Sequence, residues 1–351
     1  MHLHRETGWN GTIAIGHPTR GNCTIGYNVR HWGLYESAKK YVGWPIVPGF
    51  DVAGTVERIP DVATNDNDYR HKFAVNDRVF GCTLFGAYSN RILIPRIQLR
   101  KIPDCIPTFA EAAAFPAVSL TALYALHLAG YFPIIPGGGG RIKFKNKSIL
   151  IHSAAGGVGG FLVQMSKILG LFVVGVVGST SKIDDAISLG CDVVIDKSTE
   201  NLWLSAEMAS PNGYLTIMDA NGVSTLRESY EHLAPSGRLI VFGFHSNLPI
   251  GSAMLSPLEW LCMARKFAVM PKFDAMDLTV SNKSVLGFNL SFFADEVEIL
   301  SDMFDQILVW IEEGKLKCPR VCTMQMENVG EAHSFIQSGK GSGKIVLTTD
   351  N

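Results

Sequence analysis

The sequence predicts an α/β protein of two domains, one β-rich and one built on a doubly wound parallel sheet. Three observations carry that prediction. The first 130 residues break into short apolar runs separated by Gly, Pro and Asp, as in IVPGFDVAGTVERI and DRVFGCTLFGAYSNRILIP; this is the punctuation of strands and tight turns. From residue 148 onward, apolar runs alternate with helical patterns, as in a parallel sheet covered on both faces. At 148–170 the stretch SILIHSAAGGVGGFLVQMSKILG passes from a strand through small residues into a helix.

The elements follow in order. NDRVFG supplies a turn and then a buried strand, whereas PDVATNDNDYRHKF at 60–73 is polar and reads as a solvated loop. TFAEAAAFPAVSLTALYALHLAG at 108–130 is Ala- and Leu-rich and helical, interrupted at Pro116; YFPIIPGGGGRIKFKN then breaks the chain. Strands are expected at 148–152, 172–177, 193–195, 215–218, 238–242 and 284–287. FLVQMSKILG, KIDDAISLG, TLRESYEHLAP and LSPLEWLCMARKF provide helices between them. A further helix is expected over 295–314 and a last strand in GSGKIVLTTD; no internal repeat is present.

Composition removes several function classes. Hydrophobic residues make up 47% of the 351-residue chain and charged ones 18%, which suits compact domains with substantial cores. The formal net charge of −1 provides no global basic field for nucleic acid. MHLHRETGWNG lacks the layout of a secretory signal. The most apolar stretch, 161–177, is interrupted by Gln164, Ser166 and Lys167, so a soluble protein with no membrane span is expected, and peripheral membrane contact stays open. Seven scattered cysteines, an odd number without a framework, fit a reducing compartment and a cytoplasmic location. CPRVC is the one close pair and has no second pair to complete a zinc site.

The small residues at 148–170 have a specific chemistry. Ala154, Gly156 and Gly159 occupy the three small-residue positions of the dinucleotide fingerprint, after a strand and at the start of a helix. Small residues there let the backbone approach a pyrophosphate held at the helix N-terminus. The next strand ends in VVGSTSK, where an NAD site would place an acid for the ribose 2′-hydroxyl. Gly178, Ser179, Thr180 and Lys182 stand there instead; a lysine with two hydroxyls suits a 2′-phosphate, so the cofactor read from the residues is NADPH.

These segments carry a resemblance. IHSAAGGVGGFLVQMSKILG, VPGFDVAGTV, DRVFG, SLTALYAL, APSGRLIVFGF and GKIVL are together similar to the quinone-reductase branch of the medium-chain dehydrogenase/reductase superfamily. Within that branch NKSVLGFNLSFF most resembles the synaptic vesicle protein VAT-1 homologues; the likeness runs in order over roughly 33–351. It implies a GroES-like β-rich substrate domain over 1–125, completed by 296–351, and a Rossmann NADP(H)-binding domain over 126–295. It also implies cofactor contacts from Thr121, from Ala155, Gly156, Gly157 and Val158 at the pyrophosphate, and from Gly178, Ser179 and Lys182 at the adenosine phosphate. Phe242, Gly243 and Phe244 would follow the strand beneath the nicotinamide, with Phe288 and Asn289 closing over it. Tyr35 would stand at the substrate mouth.

Departures from the family pattern also carry information. Asp196-Lys197 replaces the usual Asn-Tyr after the third Rossmann strand. Before GLY, the stretch GNCTIGYNVRHW has Thr24 and Tyr27 where the family has Asn and Asp. Zinc-dependent relatives have a histidine ligand in Gly-His-Glu; here Gly49-Phe50-Asp51 aligns, and phenylalanine cannot ligate zinc, so no metal is expected. Cys23 alone makes no site, and Asp51 is expected to pair with nearby backbone or with Arg78.

The remaining chemistry is hydride donation to an already activated acceptor, a conjugated enone or a quinone, with negative charge appearing on oxygen. Tyr35 is the candidate proton donor, with Tyr27 and His31 behind it. Two other functions stay open: a VAT-1-like nucleotide-binding interaction protein with little turnover, and an enoyl reductase acting on a carrier-bound acyl chain. FAVMPKFDAMDLTVSNKSVLGFNLSFF at 267–293 is apolar with few charges and suggests a homodimer paired through an exposed strand edge.

Overall fold

The computed structural model describes residues 47–59, 72–131, 147–243, 261, 264–265, 268–290, 297–338, 341 and 343–349, with the strand backbones at 12–16 and 22–24. The chain falls into two compact units, 1–118 with 293–351, and 119–292. The boundaries expected from the sequence were 125/126 and 295/296.

The first unit carries one sheet of eight strands. β1 (Thr12–Gly16), β2 (Asn22–Thr24), β3 (Asp51–Arg58), β4 (Arg78–Cys82), β5 (Arg91–Pro95) and β6 (Leu99–Lys101) are joined by β13 (Val321–Gln325) and β14 (Lys344–Thr348) from the far end of the chain. β14 pairs antiparallel with β2 and parallel with β13. The chain's last strand therefore completes a sheet begun near its start. Val52, Val56, Val79, Ile94, Leu99, Ile345 and Leu347 form its buried core. α1 (Phe109–Ala113) opens on a capping box, in which Thr108 and Glu111 each bond the other's backbone N–H.

α8 (Val297–Glu312) buries Met303, Phe304, Ile307, Trp310 and Ile311, the spacing of one helical face. Arg100, 1% exposed, fastens β6 to this helix: it donates to the Asp305 carboxylate and to the carbonyl and hydroxyl of Ser301. Phe304 meets Phe80 edge-on at 5.1 Å. β13 and α9 (Val329–Gln337) were not read from the sequence.

The second unit is a six-stranded, wholly parallel sheet in the order β12-β11-β10-β7-β8-β9. β7 is Ser148–His152, β8 Phe172–Val177, β9 Val193–Asp196, β10 Tyr214–Asp219, β11 Leu233–Val241 and β12 Ser284–Gly287. In chain order this is 6-5-4-1-2-3, the Rossmann arrangement, with the order reversing between its first and fourth strands, β7 and β10. Leu150, Val174, Val176, Ile195, Ile217 and Leu239 are buried, because helices cover both faces and the strands lose solvent on either side. The strand expected over 238–242 begins at Leu233 and ends at Val241.

α2 (Pro116–Leu128), α3 (Gly157–Ile168), α4 (Ile183–Leu189), α5 (Leu202–Ala209), α6 (Leu226–Glu231) and α7 (Ala275–Ser281) are further α-helices. Pro116 takes the first position of α2, where its missing N–H costs nothing. The expected interruption therefore separates α1 from α2. The combined stretch Phe109–Leu128 is long and apolar enough to cross a membrane, yet 61% of its most apolar 18-residue window is buried inside the protein. α5 was not expected; Asn201 caps it by accepting from the N–H groups of Trp203 and Leu204. The 60–73 loop lies outside the described residues except for its last two, and most of LSPLEWLCMARKF lies outside them as well.

Candidate cofactor site

The crevice outside the carboxyl ends of β7 and β10 is where a sheet of this order binds ligands, because neighbouring loops leave there in opposite directions. β7 delivers the glycine turn to that point. Ser153 follows it with φ 56°, a left-handed conformation, and its carbonyl accepts from the Gly156 N–H at 2.8 Å. Ala154 donates to the Val176 carbonyl at 3.0 Å, which ties the turn to β8. The three small residues each have a separate reason. A β-carbon on Gly159 would sit 2.1 Å from the Ser153 carbonyl oxygen, so only glycine allows α3 to start against the turn. Ala154 is buried, and its methyl lies 2.8 Å from where a β-carbon on Gly175 would be.

Gly156 is the N-cap of α3 and supplies no side chain, so the helix's first N–H groups have no side-chain cap. Gly157 and Val158, half-buried, form its first turn beside the buried Ala155. An uncapped amino end of a twelve-residue helix, reached through small residues, leaves backbone N–H groups that could hold an anionic group such as a diphosphate.

β8 places the second group. Gly178 and Ser179 follow it directly, and Lys182 stands at the N-cap position of the short helix α4 without a side-chain capping bond. Lys182 is half-buried, and desolvation pushes its pKa below the usual lysine range, with the Asp185 carboxylate acting the other way. The Ser179 hydroxyl is 3.0 Å from that of Ser181. The Thr180 hydroxyl donates to Asp196 at 2.7 Å, so its proton is committed within the protein. Asp196, at the end of β9, also accepts from the Ser198 hydroxyl and N–H. These hydrogen bonds, from Ser198 first and then Thr180, hold its pKa below the ordinary aspartate value.

Aromatic side chains gather beyond the end of β11. Phe242 and Gly243 follow β11; the Phe242 N–H donates to the Asp219 carbonyl at 3.0 Å, and the Phe288 N–H to the Val241 carbonyl at 3.1 Å. A β-carbon on Gly243 would lie 2.9 Å from the Ala220 carbonyl oxygen. The Phe242 and Phe288 rings are 6.0 Å apart, and Tyr124 meets Phe288 at 4.9 Å. Thr121 and Tyr124 stand three residues apart on the half-buried side of α2, whereas Ala122, Leu123, Ala125 and Leu126 are wholly buried. Asn289 follows Phe288 and is exposed. The contact of Tyr124 with Phe288 was not read from the sequence; its i+3 spacing from Thr121 was the available signal. Phe244, Tyr27, Tyr35 and His31 lie outside the described residues.

A buried polar network lies beneath the crevice and was also missed. Asp219, the last residue of β10, accepts from the N–H groups of Asn221 and Gly222 and from the hydroxyls of Thr225 and Ser229. Ser229 thereby spends its proton, so His152 Nε2 is the donor across the 3.2 Å separating it from that hydroxyl. Nδ1 is left as a buried acceptor without a hydrogen-bond partner among the described residues. Desolvation lowers the imidazole pKa; Asp219 at 3.8 Å opposes the shift and the Lys197 charge adds to it.

In the first unit, Phe50 packs on the Phe85 ring at 4.8 Å. Asp51, 2% exposed, accepts from the Ala117 backbone N–H, and Lys344 lies 3.8 Å from its other oxygen. Arg78 instead donates to the carbonyls of Ile106 and Pro107. Among the described residues no group of three or more His, Cys, Asp or Glu side chains is gathered as a metal ion would need.

Residues 157–306 match the family model described as zinc-binding dehydrogenase. That match begins at α3 and leaves out Phe50 and its surroundings. The chain is 27% identical over 319 residues to a synaptic vesicle membrane protein VAT-1 homolog of Danio rerio, covering 91% of this chain and 60% of that protein. It is 32% identical over 207 residues to a 2-haloacrylate reductase of a Burkholderia species, covering 58% of this chain and 57% of the reductase. Escherichia coli quinone oxidoreductase, solved in complex with NADPH, superposes with a TM-score of 0.73 at 21% identity, over 99% of this chain and 94% of that one.

Proposed function

Because the chain belongs to the medium-chain dehydrogenase/reductase superfamily, in its quinone oxidoreductase branch, we propose that it is a zinc-independent, NADPH-dependent reductase of conjugated enones or quinones. The observation that carries this reading is the pairing of an uncapped glycine turn at the switch point with a neighbouring strand followed by Gly178, Ser179 and Lys182, with no acidic residue among positions 178–182. The residues fit the cofactor: Gly156 and Gly159 let the helix start close against the Ser153 carbonyl, which β-carbons would meet at 3.0 and 2.1 Å, and no side chain caps the helix's first N–H groups.

Gly156, Gly157 and Val158, with Ala155, would hold the diphosphate through backbone N–H groups. Gly178, Ser179 and Lys182 would hold the 2′-phosphate. Thr121, Phe242, Gly243, Phe244, Phe288 and Asn289 would orient the nicotinamide and exclude water from one side of it. When bound, the reduced nicotinamide supplies a hydride. The chain's own contribution is then orientation of an acceptor that is already electrophilic, plus a proton for the product. Tyr35, with Tyr27 behind it, is the proposed proton donor.

The test is NADPH oxidation against a panel of enones, quinones and acyl thioesters. Turnover with enones or quinones supports the proposal; activity confined to thioesters points to a carrier-bound acyl substrate. NADPH binding without turnover of any of them favours the interaction-protein reading. Lys182→Glu places a carboxylate beside the proposed 2′-phosphate. It should weaken NADPH at least tenfold more than NADH, as the replacement of attraction by repulsion requires; equal losses would remove Lys182 from that pocket. A homodimer working in the cytoplasm completes the proposal.

A further inference from the structure

We infer that Lys197 is a second cationic contact for the 2′-phosphate, so that this chain distinguishes the two dinucleotides with a pair of lysines, one whose stem lies over Gly178 and one whose backbone N–H donates to the Ser179 carbonyl. The inference rests on the NADPH reading above and deepens it.

Backbone geometry brings Lys197 to the site. Its N–H donates to the carbonyl of Val177, the last residue of β8, at 3.2 Å, so the turn after β9 lies against the end of the neighbouring strand. The side chain continues in that direction: Cε lies 3.7 Å from where a β-carbon on Gly178 would stand, and the alkyl stem therefore passes over the glycine. Gly178 and Lys197 are both exposed, so the ammonium reaches this place from solvent without a buried charge.

The charge is uncommitted. Among the described residues Lys197 forms no ion pair, whereas Lys167 on α3 is held by Asp192 at 2.7 Å. The adjacent carboxylate, Asp196, has one oxygen taken by Ser198 and the other by Thr180.

The site also needs a second cation. Thr180 gives its proton to Asp196, which leaves Ser179 as the remaining hydroxyl donor of the two that follow Gly178. A phosphate monoester carries about −1.5 to −2 charges near pH 7, more than one half-buried lysine neutralises. Lysine binds phosphate as a point charge that needs no fixed geometry. A stem lying over Gly178 and a second lysine at 182 therefore suit a dianion between them better than they suit a bare ribose hydroxyl.

Two fragments, 2′,5′-ADP and 5′-AMP, titrated calorimetrically into the full chain, test the assignment without any turnover. The intact protein should bind 2′,5′-ADP the more tightly. Lys197→Met keeps the stem and removes the charge. It should weaken 2′,5′-ADP about three- to tenfold, the range of a partly solvated charge pair, leave 5′-AMP unchanged, and flatten the salt dependence of 2′,5′-ADP binding. Lys197→Arg should restore most of the affinity. Unaltered preference and salt dependence in Lys197→Met would overturn the assignment of Lys197 alone, as would equal loss for both fragments. Equal binding of the two fragments by the unmodified protein, or no binding of either, would instead overturn the NADPH reading on which the assignment rests.

Discussion

At Gly159 a single hydrogen decides whether the turn can form, since a methyl there would meet the Ser153 carbonyl oxygen at 2.1 Å. Gly159→Ala should cost about 1–3 kcal/mol in urea unfolding, the range for overpacking, and should reduce nucleotide binding further by moving α3 off the turn. Wild-type stability and binding in that variant would show that the turn has room the geometry denies. Phe50 is the residue-scale counterpart for metal. Its ring packs on Phe85 and offers no donor atom, and Asp51 beside it is engaged by the Ala117 N–H and Lys344. Elemental analysis of purified protein should find no stoichiometric zinc, and chelators should leave NADPH oxidation unaffected; one tightly held zinc per chain would contradict the proposed reaction class.

At the scale of elements, the ends of β7 and β10 are joined by His152, Ser229 and Asp219, and this join titrates. Burial lowers the His152 pKa from its ordinary value of 6.5, so the folded chain resists a proton that the unfolded chain accepts. Stability from this site is therefore fully present above pH 6.5 and is lost as pH falls from there toward the lower folded value, by up to about 1.4 kcal/mol per pH unit. His152→Gln, which keeps a donor for Ser229, should have a shallower stability profile than wild type between pH 6.5 and 5; parallel profiles would show that His152 does not titrate there. His333, also depressed by burial, contributes to both profiles alike. None of this network was legible beforehand, because His152 and Ser229 are 77 residues apart and meet only when the fourth strand pairs with the first. α5, by contrast, could have been read from Asn201, whose side chain caps it.

At the scale of the whole molecule, β12 is the end strand of the parallel sheet among the described residues, paired on one side by β11. Just before it, α7 exposes Met276 (73%) and Val280 (82%), four residues apart on one face. An unpaired edge beside exposed apolar side chains invites association. Two copies related by a twofold axis would cover both at once. Light scattering at micromolar concentration should give close to twice the 38.3 kDa chain mass, and Met276→Glu with Val280→Glu should shift the equilibrium toward monomer. A wild-type monomer at that concentration would rule the pairing out.

The sequence by itself determined the parallel sheet, the glycine turn and the break at Pro116, because each depends on local rules: apolar runs of strand length, small residues between strand and helix, and a proline that cannot donate. The end-to-end closure of the first unit was implied only by the family resemblance, and its register, with Leu347 opposite Cys23, was settled by strand pairing. Only the tertiary structure decided which polar groups are spent. Thr180 and Ser198 occupy Asp196, Thr225 and Ser229 occupy Asp219, and Lys197 lies over Gly178 without a carboxylate partner among the described residues. Hydrogen-bond partners separated by many residues have no periodicity to read; they are chosen by the crossing of strands, and that choice determines which donors are left for a ligand.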